Sequence, residues 1–134
     1  MKMVKVFLVD NDEDELLFMR MAFESTGLFT VMASVSNSEE LFALLKNSRE
    51  DLPDLILSDL NMPRKNGIDI ARAIHSDPLF YGVRVIILSI TASKLFIQQA
   101  LDAGAYAYFT KPRKFNDYAP FAQMIYDKLV LNLA

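Results

Sequence analysis

Short apolar runs alternate with longer amphipathic segments along the chain. The apolar runs predict five strands, at 4–9, 29–35, 55–57, 83–88 and 106–110. The segments between and after them place apolar residues at helical spacing and predict helices at 13–25, 38–47, 67–76, 93–103 and 117–132. Strict alternation of strand and helix favours an α/β fold, a five-stranded parallel sheet with helices on both faces. The common doubly wound strand order for five such units is 2-1-3-4-5.

Composition narrows the class of protein. The 134 residues, 52% hydrophobic, suit a single domain spanning 1–134 with no output domain. A net charge of −3 without a basic block argues against direct nucleic-acid binding. No apolar run is long enough to span a membrane and no secretory signal opens the chain, so we expect a cytoplasmic protein. Absence of cysteine and a single histidine exclude disulfides, zinc fingers and multi-histidine metal sites.

Polar residues collect where the predicted strands end. Asp10, Asp59, Ser89 and Lys111 follow or close strands 1, 3, 4 and 5. Ligands of such folds bind at the carboxyl ends of the strands, and strands 1 and 3 would be neighbours about 4.8 Å apart. Two facing carboxylates repel unless a cation joins them, and Mg²⁺ suits oxygen ligands. A carboxylate nucleophile beside a metal, a lysine and a hydroxyl fits transfer of a phosphoryl group.

The motifs at these strand ends resemble those of the bacterial two-component response-regulator receiver domain, over essentially the whole chain. They are Val9-Asp10, Asp59-Leu60-Asn61-Met62-Pro63 with Asn66-Gly67, Leu88-Ser89, and Tyr108-Phe109-Thr110-Lys111-Pro112. The resemblance implies the flavodoxin-like doubly wound fold. It also implies a stand-alone, chemotaxis-regulator-like signalling switch rather than an enzyme, with at most slow self-dephosphorylation.

The resemblance also implies a role for each residue. Asp59 would accept phosphate from a histidine kinase or phosphotransfer protein. Asp10, Asn11, Asp59 and the backbone carbonyl of Asn61 would bind Mg²⁺, with Asp12 as a further candidate. Lys111 and Ser89 would contact the phosphoryl group, and Tyr108 would rotate as a switch. The Lys111–Pro112 peptide bond would be cis. A downstream protein, or a second copy in a homodimer, would bind the face of helix 4, strand 5 and helix 5.

Two positions depart from the family pattern. Asn11 stands where the family has a second acidic residue, and its amide brings no charge to a metal site. Ile90 follows Ser89 where the family has a small residue, and its branched side chain should hinder water and slow the loss of phosphate. The first departure leaves open a degenerate receiver that acts as a phosphorylation-independent interaction module.

Simpler interpretations compete for several residues. Glu13, Asp14 and Glu15 fit a solvated helix start, where acids oppose the dipole. Either Thr91 or Ser93 would cap helix 4 and leave Ser89 free. His75 is expected to be an ordinary surface residue. Helices 4 and 5 carry more apolar residues than one buried stripe of a helix can hold, so we expect some of them to be exposed. Core packing would explain any one of them taken alone. These residues are Phe96, Ile97, Tyr118, Phe121, Met124 and Ile125.

Enzymes of similar architecture fit less well. A flavin-mononucleotide site needs an uncharged phosphate loop after strand 1, where this chain has Asn11-Asp12-Glu13-Asp14. An aspartate-nucleophile phosphatase needs a second aspartate at position 61, which is asparagine. A dinucleotide site needs a glycine-rich turn, and the first glycine is Gly27.

Overall fold

Five parallel strands and five helices alternate in a computed structural model that describes residues 2–130. The strands are β1 Val4–Val9, β2 Phe29–Val35, β3 Leu55–Asp59, β4 Arg84–Ser89 and β5 Ala107–Thr110. The helices are α1 Glu13–Ser25, α2 Ser38–Asn47, α3 Gly67–Ser76, α4 Lys94–Asp102 and α5 Tyr118–Val130. The sheet order β2-β1-β3-β4-β5 confirms the predicted topology. Positions 131–132 of the last predicted helix lie outside the described residues.

The sheet separates two apolar layers. Alternate residues of β1 point to opposite faces, so Val6 and Leu8 join one layer while Phe7 and Val9 join the other. The first layer includes α1 and α5, and the second includes α2, α3 and α4. Helix α4 contributes only Ala100 as a fully buried residue, so most of its surface remains uncovered.

Side-chain caps begin four of the helices just after the strands that precede them. Asp12, Asn37, Asn66 and Ser93 accept backbone N–H groups at the starts of α1, α2, α3 and α4. Ser93, not Thr91, therefore caps α4. These caps fix the turns at the carboxyl edge of the sheet. None of the described helices has both the length and the apolar composition needed to cross a bilayer.

Candidate functional site

Asp10 and Asp59 come together because β1 and β3 are neighbours. Val9 pairs with Ser58, so the next residue of each strand lies at the same edge. Both aspartates are buried, and the N–H of Asp12 donates to Asp10 Oδ1 at 2.9 Å. The structure therefore brings the two carboxylates to the same edge, as the sequence predicts.

Lys111 reaches both carboxylates from the end of β5. Its Nζ lies 2.8 Å from Asp10 Oδ2 and 3.2 Å from Asp59 Oδ1. The lysine backbone is held in place because its N–H donates to the carbonyl of Ser89 at 2.7 Å. The long aliphatic stem thus delivers one positive charge between two buried negative charges.

The site keeps an excess of negative charge. Burial raises the pKa of Asp59, and the nearby Asp10 carboxylate raises it further, against opposing effects of Lys111 and the Asn61 N–H. Burial alone would lower the pKa of Lys111, but its hydrogen bond to Asp10 and the charges of both aspartates outweigh burial and raise it. Ionised Asp59 is therefore poorly compensated by the protein alone, and a further cation would stabilise it.

The donor set fits a hard divalent cation. Asp10 and Asp59 supply carboxylate oxygens, and the backbone of Asn61 is close enough to Asp59 to hydrogen-bond with it. Asn11 is exposed in the β1–α1 turn beside them. Asp12 is partly engaged, since its Oδ1 accepts the Asp14 and Glu15 amides as the cap of α1. Ligands of this kind suit Mg²⁺, which retains several waters.

Ser89 and Tyr108 are joined through the β4–α4 loop. Ser89 is fully buried, and its Oγ accepts the N–H of Thr91 at 3.2 Å. The Tyr108 hydroxyl donates to the carbonyl of the same Thr91 at 3.0 Å. Any movement of the Ser89 hydroxyl therefore acts on a loop that Tyr108 also holds. Ile90, next in that loop, is 71% exposed.

The prediction of a cis peptide bond between Lys111 and Pro112 is wrong. All peptide bonds among the described residues are trans. The trans form is the ordinary preference of a bond to proline, by about 0.5–1 kcal/mol. Lys111 reaches both aspartates from this geometry.

One contact beside the site was missed by the sequence analysis. The Tyr118 hydroxyl in α5 donates to Glu15 Oε1 in α1, and burial followed by this bond raises the pKa of Tyr118 far above its usual range. Glu15 is thus not simply a solvated helix-start acid. Tyr118 is buried and is not part of an exposed face. Spacing alone could not pair two residues so distant in sequence.

The outer surfaces of the helices carry two apolar patches. The predicted exposure at α4 and α5 is confirmed for Phe96 and Met124, whereas Ile125 is buried and Ile97 and Phe121 are half-buried. A second patch, here called the α1 patch, was not predicted. It consists of Leu17, Phe18 and Met21 with Phe115, whose ring meets Phe18 edge-on at 5.5 Å between centroids. His75 is exposed on α3, as expected.

Sequence comparison identifies the family. The response regulator receiver domain profile matches residues 6–119, a range that includes Asp10, Asp59, Ser89, Tyr108 and Lys111. The chain belongs to the response regulator receiver family. Receiver domains of this family are signalling phosphoacceptors of two-component systems.

Curated relatives are longer response regulators. The chain is 35% identical over 118 residues to the transcriptional regulatory protein CpxR of Escherichia coli, covering 86% of this chain and 45% of that protein. It is 30% identical over 110 residues to the DNA-binding response regulator MtrA of Mycolicibacterium smegmatis, covering 82% and 45% respectively. The chain thus spans less than half the length of these relatives.

Solved receivers share the fold. The phosphorylated cyanobacterial phytochrome response regulator RcpA superimposes with a TM-score of 0.84 at 26% identity, over 99% of this chain and 98% of that one. The response regulator domain of Thermotoga maritima CheB gives a TM-score of 0.78 at 23% identity, over 99% of each chain. The Mn²⁺-bound response regulator Rcp1 gives 0.74 at 20% identity, over 98% of this chain and 97% of that one.

Proposed function

We propose that Asp59 accepts a phosphoryl group from the phosphohistidine of a histidine kinase or phosphotransfer protein. The observation that carries this is the buried Asp59 carboxylate, which shares the Lys111 ammonium with Asp10 at the sheet edge. An Asp59 Oδ attacks phosphorus, the phosphorus–nitrogen bond of the donor breaks, and the imidazole leaves with its electron pair and takes up a proton. The product is an acyl phosphate.

Mg²⁺ is the proposed cofactor, and its function is to neutralise charge on the transferring phosphoryl oxygens. Asp10, Asp59, the Asn61 carbonyl and Asn11 would hold it. Asp12 is a weaker candidate because its carboxylate caps α1. Lys111 lies close to Asp59 and would donate to a phosphoryl oxygen. Its positive charge would therefore also neutralise charge on the phosphoryl group.

The proposed switch begins at Ser89. A phosphoryl oxygen on Asp59 accepts the Ser89 hydroxyl, which then leaves its contact with Thr91. Because Tyr108 also binds Thr91, the β4–α4 loop and Tyr108 shift together. Only one of the two loop states makes the bond to phosphate, and this difference in interaction biases the equilibrium.

The α4–β5–α5 face would report the state of the switch to a downstream protein or to a second copy of the chain. This face exposes Leu95, Phe96 and Met124 and adjoins the β4–α4 loop. The α1 patch suits a different partner, the phosphodonor protein. It adjoins the site at two points, since α1 follows Asp10 closely and Phe115 follows Lys111 closely in the chain. A donor histidine must approach Asp59, so its protein contacts surfaces around that opening.

Output would pass through partner proteins in the cytoplasm, and the chain would not turn over an external substrate. Loss of phosphate from Asp59 would be slow if the branched side chain of Ile90, which follows Ser89 in the β4–α4 loop, hinders the approach of water. Phosphorylation is thus a timed signal rather than a catalytic step.

Incubation with a small acyl-phosphate donor tests the proposal. A phosphate-retarding gel should show a shifted band that requires both Mg²⁺ and Asp59, and that is lost in Asp59→Asn and after chelation. Asp51→Asn is a matched control, since Asp51 is exposed and pairs with Lys5 near the start of β1, whereas Asp10 follows the end of that strand. Asn11→Asp should strengthen Mg²⁺ binding, because it adds a carboxylate.

A band that persists in Asp59→Asn would refute the assignment of the phosphoacceptor. Failure of both Mg²⁺ binding and phosphorylation in the wild-type chain, with Asn11→Asp restoring them, would favour the degenerate interaction module. The exposed Asn11 amide is the feature on which that alternative rests.

A further inference from the structure

A groove of about 500 Å³ lies between α2, α3 and the 3₁₀ turn Pro78–Phe80. None of Asp10, Asp59, Ser89 or Lys111 lines it. Its volume falls in the range of pockets that hold small organic molecules. The groove is therefore separate from the phosphorylation site and needs its own explanation.

The floor of this groove is apolar. Phe42, Leu45, Leu52 and Phe80 line it, and Leu79 forms one wall while remaining 59% exposed. An apolar group that covered this floor and the exposed leucine at its edge would remove apolar surface from water, which is favourable in free energy. The floor thus selects an occupant with a hydrocarbon or aromatic body.

The rim of the groove carries unneutralised positive charge. Lys46, Arg49 and Lys65 line it, and within residues 2–130 none of the three has an ion-pair partner. The two acids at the rim form no ion pair with any of these three cations. Glu39 pairs with Arg64 at 3.3 Å, and Asp77 accepts the Leu79 N–H at 3.0 Å. This basic rim stands out in a chain of net charge −3.

We propose that the groove binds a small amphipathic carboxylate, with its apolar tail on the floor and its carboxylate on Lys46 and Arg49. A guanidinium binds a carboxylate through two parallel hydrogen bonds, and a neighbouring ammonium adds charge without a fixed geometry. The volume limits the tail to a medium-length chain or one ring system. Binding does not depend on phosphorylation of Asp59.

Titration with sodium octanoate, followed by amide chemical shifts and by calorimetry, tests this. We expect saturable shifts confined to α2, residues 49–52 and residues 77–80. Octanol, which has the same tail without charge, should bind at least about tenfold more weakly, because the loss of even one charge-assisted hydrogen bond costs about this factor. The Lys46→Gln/Arg49→Gln variant should lose affinity for octanoate by at least as much. Lys94→Gln on α4 is the matched control and should bind normally.

Ala73→Phe fills the groove from α3 and should abolish binding, since Ala73 lines it and is exposed. The rim variant keeps the test decisive if this substitution disturbs folding. Equal affinity for octanol, shifts centred on α4, or normal binding by the rim variant would overturn the proposal. Self-association in sedimentation that Ala73→Phe removes would assign the groove to a second copy and overturn it too.

Discussion

The close approach of Gly67 to the backbone of Asp59 gives a sharp test of how the fold positions the site. A Cβ at position 67 would lie 2.7 Å from the carbonyl oxygen of Asp59 and 3.3 Å from Leu60 Cα. The Gly67 N–H donates to the Leu60 carbonyl at 3.1 Å, so the two segments are fixed together. The obstructing atoms belong to the backbone and cannot rotate away as a side chain would. Gly67→Ala must therefore displace either α3 or the end of β3.

The expected loss of stability follows from two opposing terms. Overpacking of this kind costs about 1–3 kcal/mol. Replacing glycine by alanine recovers about 0.4–1 kcal/mol by restricting the unfolded chain. The net loss is about 1–2 kcal/mol, or roughly 3–10 °C in melting temperature for a domain of this size. Displacement of Asp59 should also slow phosphorylation, on the order of tenfold, because catalysis depends on placement within a fraction of an ångström.

Gly27→Ala separates the two effects. Gly27 has φ +70 and open space around it, and it lies between α1 and β2 at the opposite end of the sheet. An alanine there should cost about 1 kcal/mol through backbone strain alone. Thermal unfolding and the rate of phosphorylation by a small acyl phosphate are measured for both variants. Similar loss of rate in both, or no loss in Gly67→Ala, would refute the reasoning.

Four further outcomes are expected. Asp59→Asn should raise the melting temperature of the metal-free protein at neutral pH, because burial raises the pKa of Asp59 and its ionised form opposes folding; a lower melting temperature would contradict this. Tyr108→Phe removes the bond to Thr91 and should speed amide exchange in the β4–α4 loop about fivefold, corresponding to roughly 1 kcal/mol, and unchanged exchange would argue against the coupling. The raised pKa of Tyr118 means that the unfolded chain loses this proton first, so stability should fall above about pH 10 and fall less in Tyr118→Phe; parallel denaturation curves against pH would count against it. Ile90→Ala should shorten the lifetime of the phosphorylated band on a phosphate-retarding gel, whereas an equal or longer lifetime would exclude shielding by Ile90.

The periodicity of the sequence predicts the strand and helix bounds well where short-range physics decides them. The limits of β1, β2, α1, α2 and α3 agree with the predicted ranges, because alternation, caps and apolar spacing are local. The meeting of Asp10 with Asp59 also follows, since a parallel sheet brings the carboxyl ends of neighbouring strands to one edge.

Contacts between elements distant in the chain were beyond such patterns. The bond from Tyr118 to Glu15 depends on how α5 packs on α1, which no local spacing encodes. The sequence also could not decide the role of Asp12, because the same carboxylate can either bind a cation or accept the free backbone N–H groups at the start of a helix. In the structure it caps α1. The α1 patch could have been anticipated from residues 16–23, where apolar positions exceed one helical stripe.

Identification of the modified residue tests the central claim most directly. Borohydride reduction converts an aspartyl phosphate to homoserine, and peptide mass spectrometry then locates it after treatment with a small acyl phosphate and Mg²⁺. The structure leads us to expect homoserine at position 59 alone, with none in the metal-free sample. Homoserine at position 10 or 12 in place of 59 would contradict the assignment of Asp59 as the phosphoacceptor.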